Sequence, residues 1–258
     1  MSQARIQQRM MRWSQIATSG MTIVLLFTSL ILMAQPAWAD DAQDARQLVE
    51  KAYLTFDSFQ ADPKMGPSLR ALLHKAKGVL IYPQVLRGAF IFGGAGGSGV
   101  FLVRNLESGT WAGPAFYSFG EASVGLQAGA DTSEVVLVAL TDRGVAALLS
   151  TSAKLGANAS VAAGPVGAGA EAATANLSAD LVSYTRNQGL YAGLSVDGAV
   201  VSARDALDQA YYGRAVTPAQ ILIQREVSNP QAARLIAAVA RVAASKSASA
   251  QGTAAKTK

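Results

Sequence analysis

The chain has 258 residues, 22 basic and 17 acidic, with one histidine and no cysteine. Without cysteine there is no disulfide framework and no thiolate metal site, and a single histidine removes the usual zinc sets. The formal charge of +5 suggests nucleic acid only until it is placed. Arg5, Arg9 and Arg12 lie at the N-terminus and Lys246, Lys256 and Lys258 in the last residues; without those six, the acids outnumber the remaining bases by one. A near-neutral body argues against a DNA- or RNA-binding surface.

In chain order, the three N-terminal arginines precede an apolar run from Met21 to Ala34 and the small-residue site Ala37-Trp38-Ala39. That order reads as a secretory signal peptide over 1–39, with the mature chain starting at Asp40. The run is shorter than the roughly 20 residues of a spanning helix, so an uncleaved anchor is the lesser alternative. An exported protein of the periplasm or cell envelope, or a secreted one, is expected. A lipoprotein cysteine is absent.

The segment 41–60 places Leu48, Ala52, Phe56 and Phe59 at helical spacing, with acids in the first turn. A second, shorter helix follows over SLRALLHKA, with Leu69, Leu72 and Leu73 on one side and His74 facing solvent. Beyond Gly78 the period changes to two. GVLIYPQ, GAFIFGG, GVFLVRN, AFYSFG and SVGLQAGA read as strands joined by tight turns, and SEVVLVAL as a strand buried on both faces. TDRGVAALLS is a turn into a short helix; LVSYTR, LYAGLSV and AVVSA resume as strands, with Asp197-Gly198 as a hairpin turn. Helices close the chain, one over ARDALDQAYYG, one capped by Thr217 with Pro218, and one capped by Asn229 with Pro230 and carrying Leu235, Val239 and Val242. The small polar tail 245–258 reads as disordered and basic.

About nine strands in an uninterrupted run, with helices at both ends, exclude alternating βαβ units. The expected class is α+β: an antiparallel β-barrel or sandwich of short strands in one domain, 40–244, with helices at the N- and C-terminal ends.

Two features carry the candidate chemistry. Between Asp62 and Glu107 there is no acid, while Lys64, Arg70, Lys75, Lys77, Arg87 and Arg104 lie there. These six read as an anionic-headgroup surface or, more blandly, as a solvated face. The second feature is GGAGGSG, residues 93–99. Its GxGxxG spacing is that of a dinucleotide loop, but a strand follows it rather than a helix, and no kinase motif accompanies it, so a nucleotide is not expected. The run is read as a wide, bulge-like turn, and the amides of Gly94, Gly96, Gly97, Ser98 and Gly99 offer an anion-binding concavity. No residue set nominates catalysis, a metal or a cofactor. Asp131, Glu134, Asp142 and Asp180 would revive an enzymatic reading only if two or more met in a pocket. Apolar insertion could come from Phe56 and Phe59 or from Tyr82, Phe90 and Phe92, although such residues are more often core.

The succession AKGVLIYPQVLRGAFIFGGAGGSGVFLVRN, WAGPAFYSFGEASVGLQAGA, VVLVALTDRGVAALL, KLGANASVAAGPVGAGAEA, LVSYTRNQGLYAGLSVDGAVVS and AYYG, from about Ser68 to Gly213, resembles the SYLF domain, also called the Ysc84-like family. The resemblance implies a lipid-binding module of a bacterial exported protein without enzymatic activity, recognising anionic phospholipid through the basic N-terminal side, where Lys75, Lys77 and Arg87 stand. An actin role is not carried over. The alternative is a structural or adhesive envelope protein that binds another protein.

Overall fold

The computed structural model describes residues 37–89, 92–124, 129–164, 178–188 and 196–245. Most of the expected leader and nearly all of the basic tail therefore lie outside the described residues. Internal contacts divide the chain after Asp40, and Asp41–Lys258 is one compact unit.

Helix α1, Ala37–Ala61, forms because Ala45, Val49, Ala52, Phe56 and Phe59 recur every three or four residues; all five are buried. Helix α2, Gly66–Leu73, starts with Pro67 in its first turn, where a missing N–H costs nothing, and buries Leu69, Leu72 and Leu73. Eight strands follow among the described residues: β1 Gly78–Ala89, β2 Phe92–Arg104, β3 Trp111–Val124, β4 Gly129–Ala139, β5 Ser152–Lys154, β6 Val161–Ala163, β7 Leu181–Gln188 and β8 Val200–Ala203. Helix α3, Asp142–Leu149, sits between β4 and β5, and helices α4, Asp205–Tyr212, and α5, Ala233–Ala244, follow the sheet. A π-helical turn, Gln220–Gln224, and a 3-10 turn, Pro230–Ala232, lie between those two. Thr217 and Asn229 cap as expected: Thr217 Oγ1 accepts from Gln220 N–H, and Asn229 Oδ1 accepts from Gln231 N–H.

The strands make one curled sheet in the order β5-β8-β3-β2-β1-β4-β7-β6, antiparallel except for β6 with β7. The fold is thus α+β, a half-barrel with helices at its N- and C-terminal ends. Chain length explains the curl. The two edge strands, β5 and β6, are separated only by residues 155–160, a tether that reaches at most about 25 Å. A flat sheet of this order would hold its edges about 34 Å apart. The tether is itself folded by a Leu155–Ala159 bridge and by Asn158 N–H donating to Lys154 O, so the edges stand closer still.

Both faces of the sheet are covered. On the outer face Val79, Ile81, Val100, Leu102, Phe116, Val136 and Val138 pack against α1, α2 and α5. On the inner face Leu80, Tyr82, Phe101, Tyr117, Val135 and Leu137 pack against α3 and the π-helical turn. This double burial is why the central strands read as continuous apolar runs rather than alternating ones.

The glycine run is not a turn. Residues 93–99 lie inside β2, paired along their length with β3 and, except at Gly99, with β1, so their amides are committed to ladders and do not form an open concavity. The irregularity is in the partner strand. Pro83, which cannot donate to a ladder, falls where the register of β1 shifts against both β2 and β4. The displaced backbone presses onto β2: a Cβ at Gly97 would stand 2.4 Å from Gln84 O, and one at Gly99 2.5 Å from Ile81 O and from the Tyr82 ring. At Gly94 a Cβ would come no nearer than 3.5 Å to Glu121 O.

Gly97→Ala and Gly99→Ala should therefore each destabilise by about 1–3 kcal/mol. Gly94→Ala should be neutral or stabilise by up to about 1 kcal/mol, because it removes chain entropy without a clash. Denaturant midpoints of the three variants check this ordering.

Candidate functional site

One end of the half-barrel collects cations because four strand ends meet there. Lys77 N–H donates to Ala139 O and Arg104 N–H to Lys77 O, which levels the start of β1 with the ends of β2 and β4. Arg104 also pairs with Trp111, which opens β3. Lys75 is exposed at the turn from α2 into β1, and Lys77 forms an ion pair with Asp142 at the start of α3, 2.5 Å. The Arg104 guanidinium donates to His74 O at 3.0 Å, a neutral acceptor, and among the described residues no carboxylate forms an ion pair with it. His74 is not solvent-facing as expected: its Nδ1 lies 3.0 Å from Ala243 O and joins the end of α2 to the end of α5, next to the exposed Arg241.

The same end carries features that sequence reasoning missed. Arg225 reaches Thr110 Oγ1 at 2.6 Å and Thr110 O at 3.3 Å, tying the π-helical turn to the β2–β3 hairpin. It holds φ of 59°, a left-handed conformation uncommon outside glycine, at the C-cap of that turn. Beside this contact Leu106 and Ile223 are 57% and 51% exposed. The signal for Leu106 was present as a lone large apolar residue in the turn NLESGT; nothing in the sequence marked Ile223.

The other predicted cations lie elsewhere. Lys64 stands at the far end of α2, where its own N–H and that of Met65 donate to Asp62. Arg70 turns back to donate to Gln60 O. Arg87 is remote: nine residues along β1 from Gly78 place it about 30 Å from the cationic end. It bonds both Glu121 oxygens at 3.2 Å across Ala95 and has Asp131 as its β4 neighbour. Glu121 therefore pairs with this largely buried guanidinium, and Asp131 holds the facing register position on β4. The structure brings together Lys75, Lys77 and Arg104, and separates Arg87, Lys64 and Arg70 from them.

Of the aromatics that could have inserted into a membrane, three take the core role that such residues more often have, and the side chain of Phe92 is not described. Phe56, Phe59 and Tyr82 are fully buried, and Phe90 lies outside the described residues. The four acids named for a catalytic pocket stand beside different partners. Asp131 neighbours Arg87, Glu134 pairs with Arg186 at 2.5 Å, and Asp142 pairs with Lys77. Asp180 accepts from Thr141 Oγ1, Ser160 N–H and Ser160 Oγ, joining the α3 cap to β6 and β7. Thr141 and Ser160 hold its carboxyl below the usual range. Among the described residues no three His, Asp or Glu side chains are grouped to hold a metal.

One buried carboxyl has no catalytic setting. Asp208 on α4 is fully buried, its Oδ1 accepting from Phe116 N–H at 3.0 Å and its Oδ2 without a partner. Burial pushes it up to about 8, against the opposing pull of the Phe116 bond.

Residues 120–242 match the family described as "Ysc84: Las17-binding protein actin regulator". Among curated proteins, the chain is similar to Protein YSC84 of Saccharomyces cerevisiae, 34% identical over 69% of this chain and 38% of that protein. It is 35% identical to an SH3 domain-containing protein of Schizosaccharomyces pombe over 63% of this chain and 38% of the relative. It is 28% identical to SH3 domain-containing YSC84-like protein 1 of Xenopus laevis, over 71% and 54%. The chain thus spans little more than a third of the two fungal relatives and about half of the amphibian one.

The Asp208 setting predicts a pH dependence. The folded state holds this proton up to about pH 8, whereas an unfolded chain releases it near 4, so the contribution of Asp208 to stability is fully present below about 4 and is lost as pH rises to about 8. The slope is at most about 1.4 kcal/mol per unit. Asp180 acts in the opposite sense, losing its contribution as pH falls through the acid range. Urea titrations from pH 5 to 9 should show the decline in the native chain and its loss in Asp208→Asn.

Proposed function

Because the chain carries a Ysc84-family domain, we propose that it is an exported, non-enzymatic phospholipid-binding protein that attaches peripherally to an anionic membrane through the cationic end of its half-barrel. The observation that carries this is a juxtaposition: Lys75, Lys77, Arg104 and Arg225 share one end of the sheet with two exposed aliphatic side chains, Leu106 and Ile223. Cations without apolar contact hold a protein only loosely at a leaflet, and apolar contact without cations has no preference for anionic lipid.

The magnitudes fit reversible attachment. Each cation near an anionic surface contributes about 1 kcal/mol, and Asp142 and Glu107 subtract from the sum. Partial insertion of Leu106 and Ile223 adds on the order of 2 kcal/mol. Among the described residues no helix is long and apolar enough to cross a membrane. Export is supported by the order of arginines, apolar run and Ala-Trp-Ala site. The alternative is a protein-docking role in the envelope. The family's description as an actin regulator belongs to that family and is not carried over to this chain.

Vesicle flotation with graded anionic lipid and salt tests the proposal. Binding should rise with anionic fraction and fall with salt. Lys75→Glu should weaken it by about tenfold or more and Leu106→Ser severalfold, while Arg87→Gln should leave it unchanged and lower the melting temperature. No binding to anionic vesicles at low salt, or binding indifferent to both Lys75→Glu and Leu106→Ser, contradicts it.

A further inference from the structure

The outer face of the sheet is not covered evenly. Toward the end of β1 away from the cationic end, α1 stands off from the strands and leaves an open cleft of about 290 Å³. Its wall on α1 is the stripe Asp44, Gln47, Leu48 and Lys51, the face beside the buried positions 45, 49 and 52. Its floor is β2 at Gly96, Gly97 and Ser98, with Leu86, 56% exposed, on one side and Arg204 on the other.

Gly97 is explained by the bulge of β1, but Gly96 is not. A Cβ at Gly96 would find nothing closer than Phe119 O at 3.8 Å, and the residue has no positive φ. Glycine inside a strand lowers its stability, so the fold gains nothing from it there; what it leaves is the space of the cleft. Arg204 is fixed from both ends. Its N–H donates to Phe116 O where α4 begins, and its guanidinium donates to Ser98 Oγ at 2.7 Å. Among the described residues no carboxylate lies within ion-pair distance of Arg204 or Lys51. The cleft holds two cations against Asp44.

We propose that this cleft binds a phosphate ester, with the Arg204 guanidinium and the Lys51 ammonium on the phosphate and the ester's carbon body on Leu86 over the bare Gly96 backbone. An arginine held by one neutral hydrogen bond keeps donors for a bidentate grip on an oxyanion, and its orientation is set before the ligand arrives. The volume is near the lower limit of small-ligand pockets and suits a headgroup-sized molecule. The site lies on the α1 face, apart from the cationic end, so it stands or falls independently of the membrane reading.

The test is titration of the full chain with inorganic phosphate, with glycerol 3-phosphate and with dihexanoyl phosphatidylglycerol below its critical micelle concentration, followed by calorimetry and by amide shifts at Gly96, Gly97, Ser98 and Arg204. Glycerol 3-phosphate and the short lipid should both move those amides and bind more tightly than inorganic phosphate. A tenfold preference for the lipid would assign a lipid headgroup, and equal affinity a free phosphate ester. Arg204→Gln should cost at least tenfold in affinity and Lys51→Gln severalfold. Gly96→Val should melt at or above the native temperature and lose binding, which separates a space kept for a ligand from a packing requirement. No saturable shift with any of the three probes, or binding unchanged in both Arg204→Gln and Gly96→Val, overturns the proposal.

Discussion

Residues 155–160 tie the two edges of an eight-stranded sheet together, and that short tether is the constraint from which the rest of the molecule follows. A sheet so tied must curl, and a curled sheet has an inside that needs filling. Tyr82, Phe101, Tyr117 and Leu137 fill it with the help of α3 and the π-helical turn. The outside then needs a cover, which the chain supplies from both termini as α1, α2 and α5. With both faces buried and the central amides spent on ladders, recognition is left to the strand ends and to any part of the outer face that the helices do not reach. The cationic end and the α1 cleft are those two places.

Electrostatics sorts the charges by what they touch. A guanidinium bonded to a carbonyl or a hydroxyl stays a net positive charge, whereas one bonded to a carboxylate does not. Arg104 on His74 O, Arg225 on Thr110 and Arg204 on Ser98 are of the first kind; Arg87 on Glu121 and Arg186 on Glu134 are of the second. Arg186 additionally lies over the Phe59 ring and donates to Ser58, so it serves to hold α1 on the sheet. Position along the sequence does not distinguish the two kinds, because the neutralising acids come from strands 34 and 52 residues away.

Much of the fold was legible because it rests on local signals. The 3–4 spacing of α1, the turn glycines and the caps at Thr217 and Asn229 each act within a few residues. SEVVLVAL announced a strand buried on both sides, and it is β4. The glycine run was misread because glycine permits both a turn and a crowded strand, and the crowding comes from Pro83 on the neighbouring strand, a contact no local pattern encodes. Likewise the basic segment was read as one surface although an extended β1 carries Lys77 and Arg87 to opposite ends of the sheet. Leu106, Ile223 and Arg204 escaped notice since their meaning lies in what they stand beside.

The central claim is that the cationic end is the surface by which the protein attaches to the membrane. The chain has no cysteine, so a single one can be placed at will and labelled with an environment-sensitive fluorophore. With anionic vesicles carrying nitroxide lipids, a label at position 106 should shift to the blue and be quenched, and a label at position 64, exposed and set apart from both the cationic end and the cleft, should do neither. The reverse pattern, or equal response at both positions, would contradict the assignment of the cationic end as the membrane-facing surface.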